Sequence, residues 1–459
     1  MKKTVLFCIL VAGAFSDYAQ DIPPQNLSPT DKVYGLSKFW EEVNYNFVYL
    51  DKIDRQAWDS TYKAMIPLVE KTTNDYEYFL LLERFCAMLK DGHTNVYVPE
   101  NVGALLFGKH FGKYWFALDD IGGRAIITRT LRTNLAELPI GTEVTAVNGI
   151  PTQQYVKDSV EPLISSSTDY VRERSAIQNL LYGILGQSYV VRFKRPDGKT
   201  FSLRLTHTRT TDTTFYPAFE KDSLLEFRWY PGGIAYLALN GFDNPAIDMQ
   251  FLAKLPELYK AKGLIIDLRK NGGGSTGIGT FILHYLTNDT ILQHSRNSTR
   301  EHRPAFKAWG EYVKLKDTAG NAEARDEWLY NHDLYYYAFD YAPDTIRLHA
   351  KRLVVPTAIL IGNNTASAAE DFLIVAANQR HMIRIGEPSY GSTGQPYQFE
   401  LGGGFSARVC TKKDTYPDGS PFVGVGVQPD ILVSPTVKDF MEQKDPVLIR
   451  ALAYLQGKL

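Results

Sequence analysis

Three short stretches carry residues able to do chemistry together. The first is "NNTASAAEDF", in which Ser367 stands between a polar turn and a run that reads as helix. A serine at a strand-to-helix turn exposes its hydroxyl, and the helix N-terminus behind it offers N–H groups to a developing oxyanion. The same residues, Ser367-Ala-Ala-Glu370, also spell a capping box, so Ser367 can equally be the cap of an ordinary helix. The second stretch is "GLIIDLRKNGGGSTG". Its glycines follow an apolar strand and precede a helix, so backbone N–H groups can approach a ligand without Cβ obstruction. An oxyanion hole, a plain flexible turn and a dinucleotide loop all fit. Gly272, Gly274 and Gly277 formally satisfy G-x-G-x-x-G, but Arg269, Lys270 and Asn271 intervene between strand and glycines. The third is "LKDGHTNVYV". A serine hydroxyl needs a base, and His93 sits at a turn between a helical run and a strand-like one. Taken alone, His93 fits a surface or packing histidine as well.

These stretches need a scaffold, and the periodicity supplies one. From Thr30 to Leu89 apolar residues recur at three- and four-residue spacing, predicting two or three helices that end at "KDGHT". From about Phe107 to Thr208 the pattern turns to strands, "RAIITRTL", "TEVTAVNG" and "QSYVVRFKRPDGKTFSLRLTH", with a hairpin at "RPDGKT". Between them "TQQYVKDSVEPLI" and "YVRERSAIQNLLYGIL" read as helices. From about Leu225 apolar strands alternate with helices, which predicts a mostly parallel sheet covered on both faces. Residues 290–350 are polar and aromatic and read as an insertion, either a lid over the site or a surface hairpin. The tail "KDPVLIRALAYLQ" reads as a helix capped by Asp445 with Pro446 in its first turn.

Length and composition narrow the function classes. The 459 residues allow two to four domains, and the formal net charge of −1 gives no footprint for nucleic acid. The start, "MKKTVLFCILVAGAF", has the two lysines and short apolar run of a bacterial export signal, with cleavage near Gln20, so a periplasmic or cell-surface location is expected. No later run is apolar enough to span a bilayer. Past that segment only Cys86 and Cys410 remain, able to pair or to stay as buried thiols. The nine histidines form no close metal-binding pair, and no cofactor is expected.

Two resemblances follow from these motifs. "LPIGTEVTAVNGIPTQQYV" resembles a PDZ domain, which implies a groove that takes an extended peptide by strand addition. In family order, "LIIDLRKNGGG", "TASAAE", "GEPSYGSTG" and "DGSPFVGVGVQPDI" resemble the tail-specific and tricorn-core serine peptidases, also called C-terminal-processing peptidases. The likeness implies an α/β multidomain protein. Its parts would be an export segment (1–20), a helical domain (21–103), a PDZ-like domain (104–210), a crotonase-like or ClpP-like core (225–435, insertion 288–350) and a C-terminal helix (436–459). It also implies hydrolysis of peptide bonds in polypeptides, with Ser367 as nucleophile, and Ala368 with the glycine run, Gly273 foremost and Gly274 beside it, as oxyanion donors. One branch of the family uses a lysine base; Ser392 stands at that position here. The tricorn-like branch uses a histidine, and "DGHT" supplies His93. That branch supports its histidine with a preceding serine and a distant glutamate, where this sequence has Gly92 and, by a rough alignment, Val423. Two rival classes stand beside the peptidase: a catalytically silent peptide- or lipid-binding protein on the same fold, and a dinucleotide-dependent oxidoreductase.

Overall fold

Side-chain caps set the register of the N-terminal helices. Ser28, Asp54 and Asn74 accept from the N–H groups of Asp31, Ala57 and Glu77, and so open helices Pro29–Asn46, Arg55–Glu70 and Asp75–Ala87. The coordinates are a computed structural model that describes residues 26–221 and 223–459; the expected export segment lies outside the described residues. The apolar stripes of the three helices converge on Phe39, Trp58 and Phe85, with Trp58 stacked on Phe85 at 3.8 Å between ring centroids. This packing runs on without a break into the C-terminal half, where Phe39 stacks on Phe399. Strand Asn95–Tyr97, just past His93, pairs antiparallel with Phe405–Cys410.

The middle of the chain forms an antiparallel sheet from Tyr114–Asp120, Ala125–Leu131, Glu143–Val147, Ser188–Lys194 and Thr200–Thr206. It has a core of its own, built on Phe116, Ile127, Val144, Val191 and Phe193. "RPDGKT" is the turn of its last hairpin. Of the two helical runs read between these strands, the first is helical over nearly its whole length but irregularly wound, and the second is shorter than the pattern suggests. The first is a turn of α-helix at Thr152–Tyr155, then a wider-wound Val156–Val160 and a tight Glu161–Leu163. The second stops at Gln178, and Gly183–Ile184 leaves to pair with Leu106–Phe107, so tertiary strand pairing overrides local helical pattern there.

The C-terminal half is built on a sheet in the order Leu225–Tyr230, Ile234–Leu239, Gly263–Asp267, Thr357–Ile361, Met382–Gly386, Ile431–Leu432. The first strand is antiparallel to its neighbour and the others are parallel. Helices Ala246–Leu258, Thr276–His284 and Ala368–Ala376 cover one face through Phe251, Ile282 and Phe372. The C-terminal helix Pro446–Gln456 covers the other through Val447, Ala451 and Leu455. It is capped by Asp445 as expected. Three adjacent parallel strands therefore deliver their following loops to one edge: the glycine turn, the Ser367 turn and the 387–394 segment. The carboxyl edge of such a sheet is the usual place for a ligand.

The insertion is a hairpin of Arg296–Arg300 with Tyr336–Ala338, carrying two helices, Pro304–Trp309 and Ala322–Asn331. Its free edge pairs with Lys413–Thr415. Arg300 anchors it to the end of the first helix by donating to the carbonyls of Asn44 (3.1 Å) and Phe47 (2.9 Å).

Candidate active site

Ser367 holds a left-handed backbone, φ 55° and ψ −124°. For a residue with a Cβ such a conformation costs about 1–3 kcal/mol and persists only where the surroundings fix it. Here they do. The Ser367 N–H donates to the carbonyl of Ser392 (3.2 Å) and to Glu370 Oε2 (3.2 Å). The Ser367 carbonyl accepts from the N–H groups of Glu370 (2.7 Å) and Asp371 (3.2 Å), and the Ala366 N–H donates to Asn271 (3.1 Å). The carboxylate arm of the capping box is thus in place, while the Ser367 hydroxyl forms no cap hydrogen bond. Cap and nucleophile are not rivals at this position: Glu370 orders the turn and leaves the hydroxyl free.

The glycine turn presses against the same residue. Gly273 has φ 103°, and a Cβ there would stand 2.6 Å from Ser367 Cβ and 2.9 Å from the Ala366 carbonyl. Gly274 has φ 131°, and a Cβ there would meet the Phe242 backbone at 2.1 Å. The Gly273 N–H donates to Asn271 Oδ1 (2.9 Å). Among the described residues no acceptor meets the N–H of Gly274 or of Ala368. Below the turn, Arg269 pairs with both Asp267 and Asp445, tying the strand end to the C-terminal helix.

His93 comes from the far end of the chain. Asp91 fixes its loop but not its ring: the buried Asp91 carboxylate accepts from the hydroxyls of Thr94 (2.6 Å) and Ser167 (3.3 Å). The Gly92 N–H donates to Ser167 Oγ (3.0 Å). The ring itself meets Ser392, with Nδ1 and Oγ 2.7 Å apart. Gly92 makes that approach possible, since a Cβ there would lie 2.6 Å from the Tyr390 ring and 3.1 Å from Ser392 Oγ. Burial pushes the His93 imidazole down to about 4, and the positive charges of Arg408 and Lys412 push the same way. No hydrogen bond joins His93 to Ser367 directly; Ser392 contacts both, the first through its side chain and the second through its carbonyl.

Two residues matter more here than their sequence context suggests. Ser392, read as the place of an absent lysine, is fully buried and is the polar partner of His93. Glu370, read as a helix cap, is a hub: it accepts from Ser389 Oγ, from the N–H groups of Gly391 (2.8 Å) and Ser392 (3.1 Å), and from Ser367. Burial raises its carboxyl to about 8, against four donors that each favour the charged form. The S-x-x-E spacing signals the bond to Ser367, but nothing local signals the other three. Val423, at the place of the family glutamate, is buried among apolar residues. Cys86 and Cys410 are free buried thiols on either side of Thr94, so the pairing alternative does not hold here.

Residues 233–433 match the profile of Peptidase family S41. Among solved structures, mature CPAF complexed with lactacystin aligns over 94% of this chain and 97% of its own, at 15% identity and a TM-score of 0.65. A candidate peptidase from Parabacteroides merdae aligns over 94% and 97%, at 18% identity and a TM-score of 0.50. At such identities the likeness is one of fold. No curated protein matches. Among the described residues no helix is long and apolar enough to cross a membrane, and no cluster of side chains is suited to a metal ion.

Proposed function

We propose that this chain, whose residues 233–433 match peptidase family S41, is a serine-type peptidase that cleaves polypeptides with Ser367 as nucleophile and His93 as general base. The observation that carries this reading is the Ser367 turn. A strained serine at a helix N-terminus, its hydroxyl unused by the cap, stands beside unpaired backbone N–H groups, and a buried neutral imidazole is one residue away. His93 Nε2 takes the hydroxyl proton as Oγ attacks the peptide carbonyl. The N–H of Ala368 and of the glycine turn receive the oxyanion; Gly274 has its N–H free, and Gly273 shares its own with Asn271. The tetrahedral adduct collapses as His93 returns the proton to the leaving amine. A water then repeats the cycle on the acyl-enzyme. Nucleophile–base hydrogen bonds are commonly long in unliganded sites and tighten around substrate. The PDZ-like reading of the middle sheet supplies a place for an extended chain. The "MKKTVLFCIL" start supports export.

Wild-type protein should cleave a denatured polypeptide, Ser367→Ala should not, and a serine-directed phosphonofluoridate should label the wild type on Ser367 alone. Equal cleavage by both proteins would remove the assignment. His93→Ala should lower kcat by about 10²–10⁴. A chain that binds peptides but neither cleaves nor labels would instead be the silent binding protein.

A further inference from the structure

A hydroxyl that touches the imidazole on one side and is locked to the nucleophile on the other does more than fill space. Ser392 is fully buried, and each of its polar groups is spoken for. Its N–H donates to Glu370 Oε2 (3.1 Å), its carbonyl accepts from the Ser367 N–H (3.2 Å), and its Oγ lies 2.7 Å from His93 Nδ1. The backbone of this one residue is pinned to the nucleophile's own turn at two points, while its side chain holds the histidine. Among the described residues no carboxylate bonds the ring, and Asp91 is turned toward Thr94 and Ser167.

We propose that Ser392 is the positioning residue of the catalytic base: its Oγ accepts from His93 Nδ1–H, fixes the tautomer whose lone pair is on Nε2, and sets the distance between base and nucleophile. The inference rests on His93 being that base. Gly92 belongs to the same device. The space that a side chain at position 92 would fill is occupied by Ser392 Oγ and the Tyr390 ring, so the orienting hydroxyl is supplied from across the fold. A neutral hydroxyl orients the ring without the charge of a carboxylate, so it leaves the imidazole free to stay neutral in its buried setting.

The test is a double-mutant cycle in the full chain on one peptide substrate. Ser392→Ala is expected to lower kcat about tenfold to a hundredfold, as loss of an orienting partner does, with KM within about twofold. In the His93→Ala background the same change should cost nothing further, since Ser392 acts through the ring. An equal loss in both backgrounds, or no loss in the wild type, would overturn the role of Ser392 and leave His93 standing. Full activity of His93→Ala would instead remove the base itself. A second measurement needs no variant at position 392. In protein labelled with 15N-histidine, the His93 resonances, identified by their loss in His93→Ala, should report the Nδ1–H tautomer. An Nε2–H tautomer would sink the proposal however the variants behave.

Discussion

At the scale of single residues, the property that matters most is the charge His93 avoids. Burial, Arg408 and Lys412 all disfavour the imidazolium, and the ring takes up its proton only near pH 4. As the proposed general base it is competent while neutral, so kcat/KM is expected to stay level from neutrality down to about pH 5 and to fall through about pH 4. An unperturbed histidine would lose activity near pH 6.5. The stability term has the same direction. Because the folded pKa lies below the unfolded one, the contribution is whole above about 6.5 and is lost as pH falls toward 4. Lys412→Met removes one of the two positive charges, and leaves Asp414 without its cation, so the acid limb should move to higher pH. A limb that stays put in that variant, or that lies near 6.5 in the wild type, would show that His93 does not govern it. His93 and Ser367 stand out in the sequence as candidates because each sits at a turn flanked by regular periodicity, and their proposed roles came from the family resemblance. The sequence could not make Ser392 readable, because its contact with His93 spans 299 positions and a serine in "GEPSYGSTG" carries no mark of a partner.

At the scale of elements, the strands and helices of the C-terminal half follow from their apolar runs, and the parallel order follows from their alternation. The sheet order is less accessible. That Gly263–Asp267, Thr357–Ile361 and Met382–Gly386 are neighbours is what brings three loops to one edge, and no local pattern encodes adjacency across an insertion of about sixty residues. The two positive-φ glycines separate what this edge does from what holds it together. Alanine at Gly273 meets Ser367 Cβ and the Ala366 carbonyl, so its strain falls on the Ser367 turn. Alanine at Gly274 meets the Phe242 backbone, which is bonded to the turn on both sides, through Phe242 N–H to Gly273 and Ser275 N–H to Phe242. Gly273→Ala should therefore abolish detectable turnover, with the melting temperature lowered by only a few degrees, as expected for about 1–3 kcal/mol of backbone strain. Gly274→Ala should lower the melting temperature more. Calorimetry of both variants beside a turnover assay checks the order; a reversed ranking would mean that the turn is braced elsewhere.

At the scale of the molecule, the proposed nucleophile and the proposed base lie 274 positions apart in the chain, 367 against 93, and the segment that joins their loops belongs to neither. Ser165 Oγ donates to the Asp91 carbonyl (2.8 Å), and Ser167 meets Gly92 and Asp91. Thr168 Oγ1 donates to the Tyr390 carbonyl (3.1 Å), and the Tyr170 hydroxyl donates to the carbonyls of Ser389 (2.5 Å) and Val425 (3.2 Å). The segment Ser165–Tyr170, which runs from the loop after Glu161–Leu163 into the first turn of helix Asp169–Gln178, thus grips the His93 loop with one end and the Ser392 loop with the other. Any shift of the middle sheet would pull on both loops, and the distance from His93 to Ser367 depends on their relative position. Each hydroxyl bond is worth about 0.5–1.5 kcal/mol, small beside total stability but large for a base that must sit within hydrogen-bond reach. Ser167→Ala and Tyr170→Phe are therefore expected each to lower kcat by about threefold to tenfold, with the melting temperature within a few degrees of wild type. Because both act on the same distance, the double variant should lose less than the product of the two. Strict multiplication of the losses, with the acid limb unmoved, would mean that the two ends of the segment hold their loops independently and that the middle sheet is only a neighbour of the site.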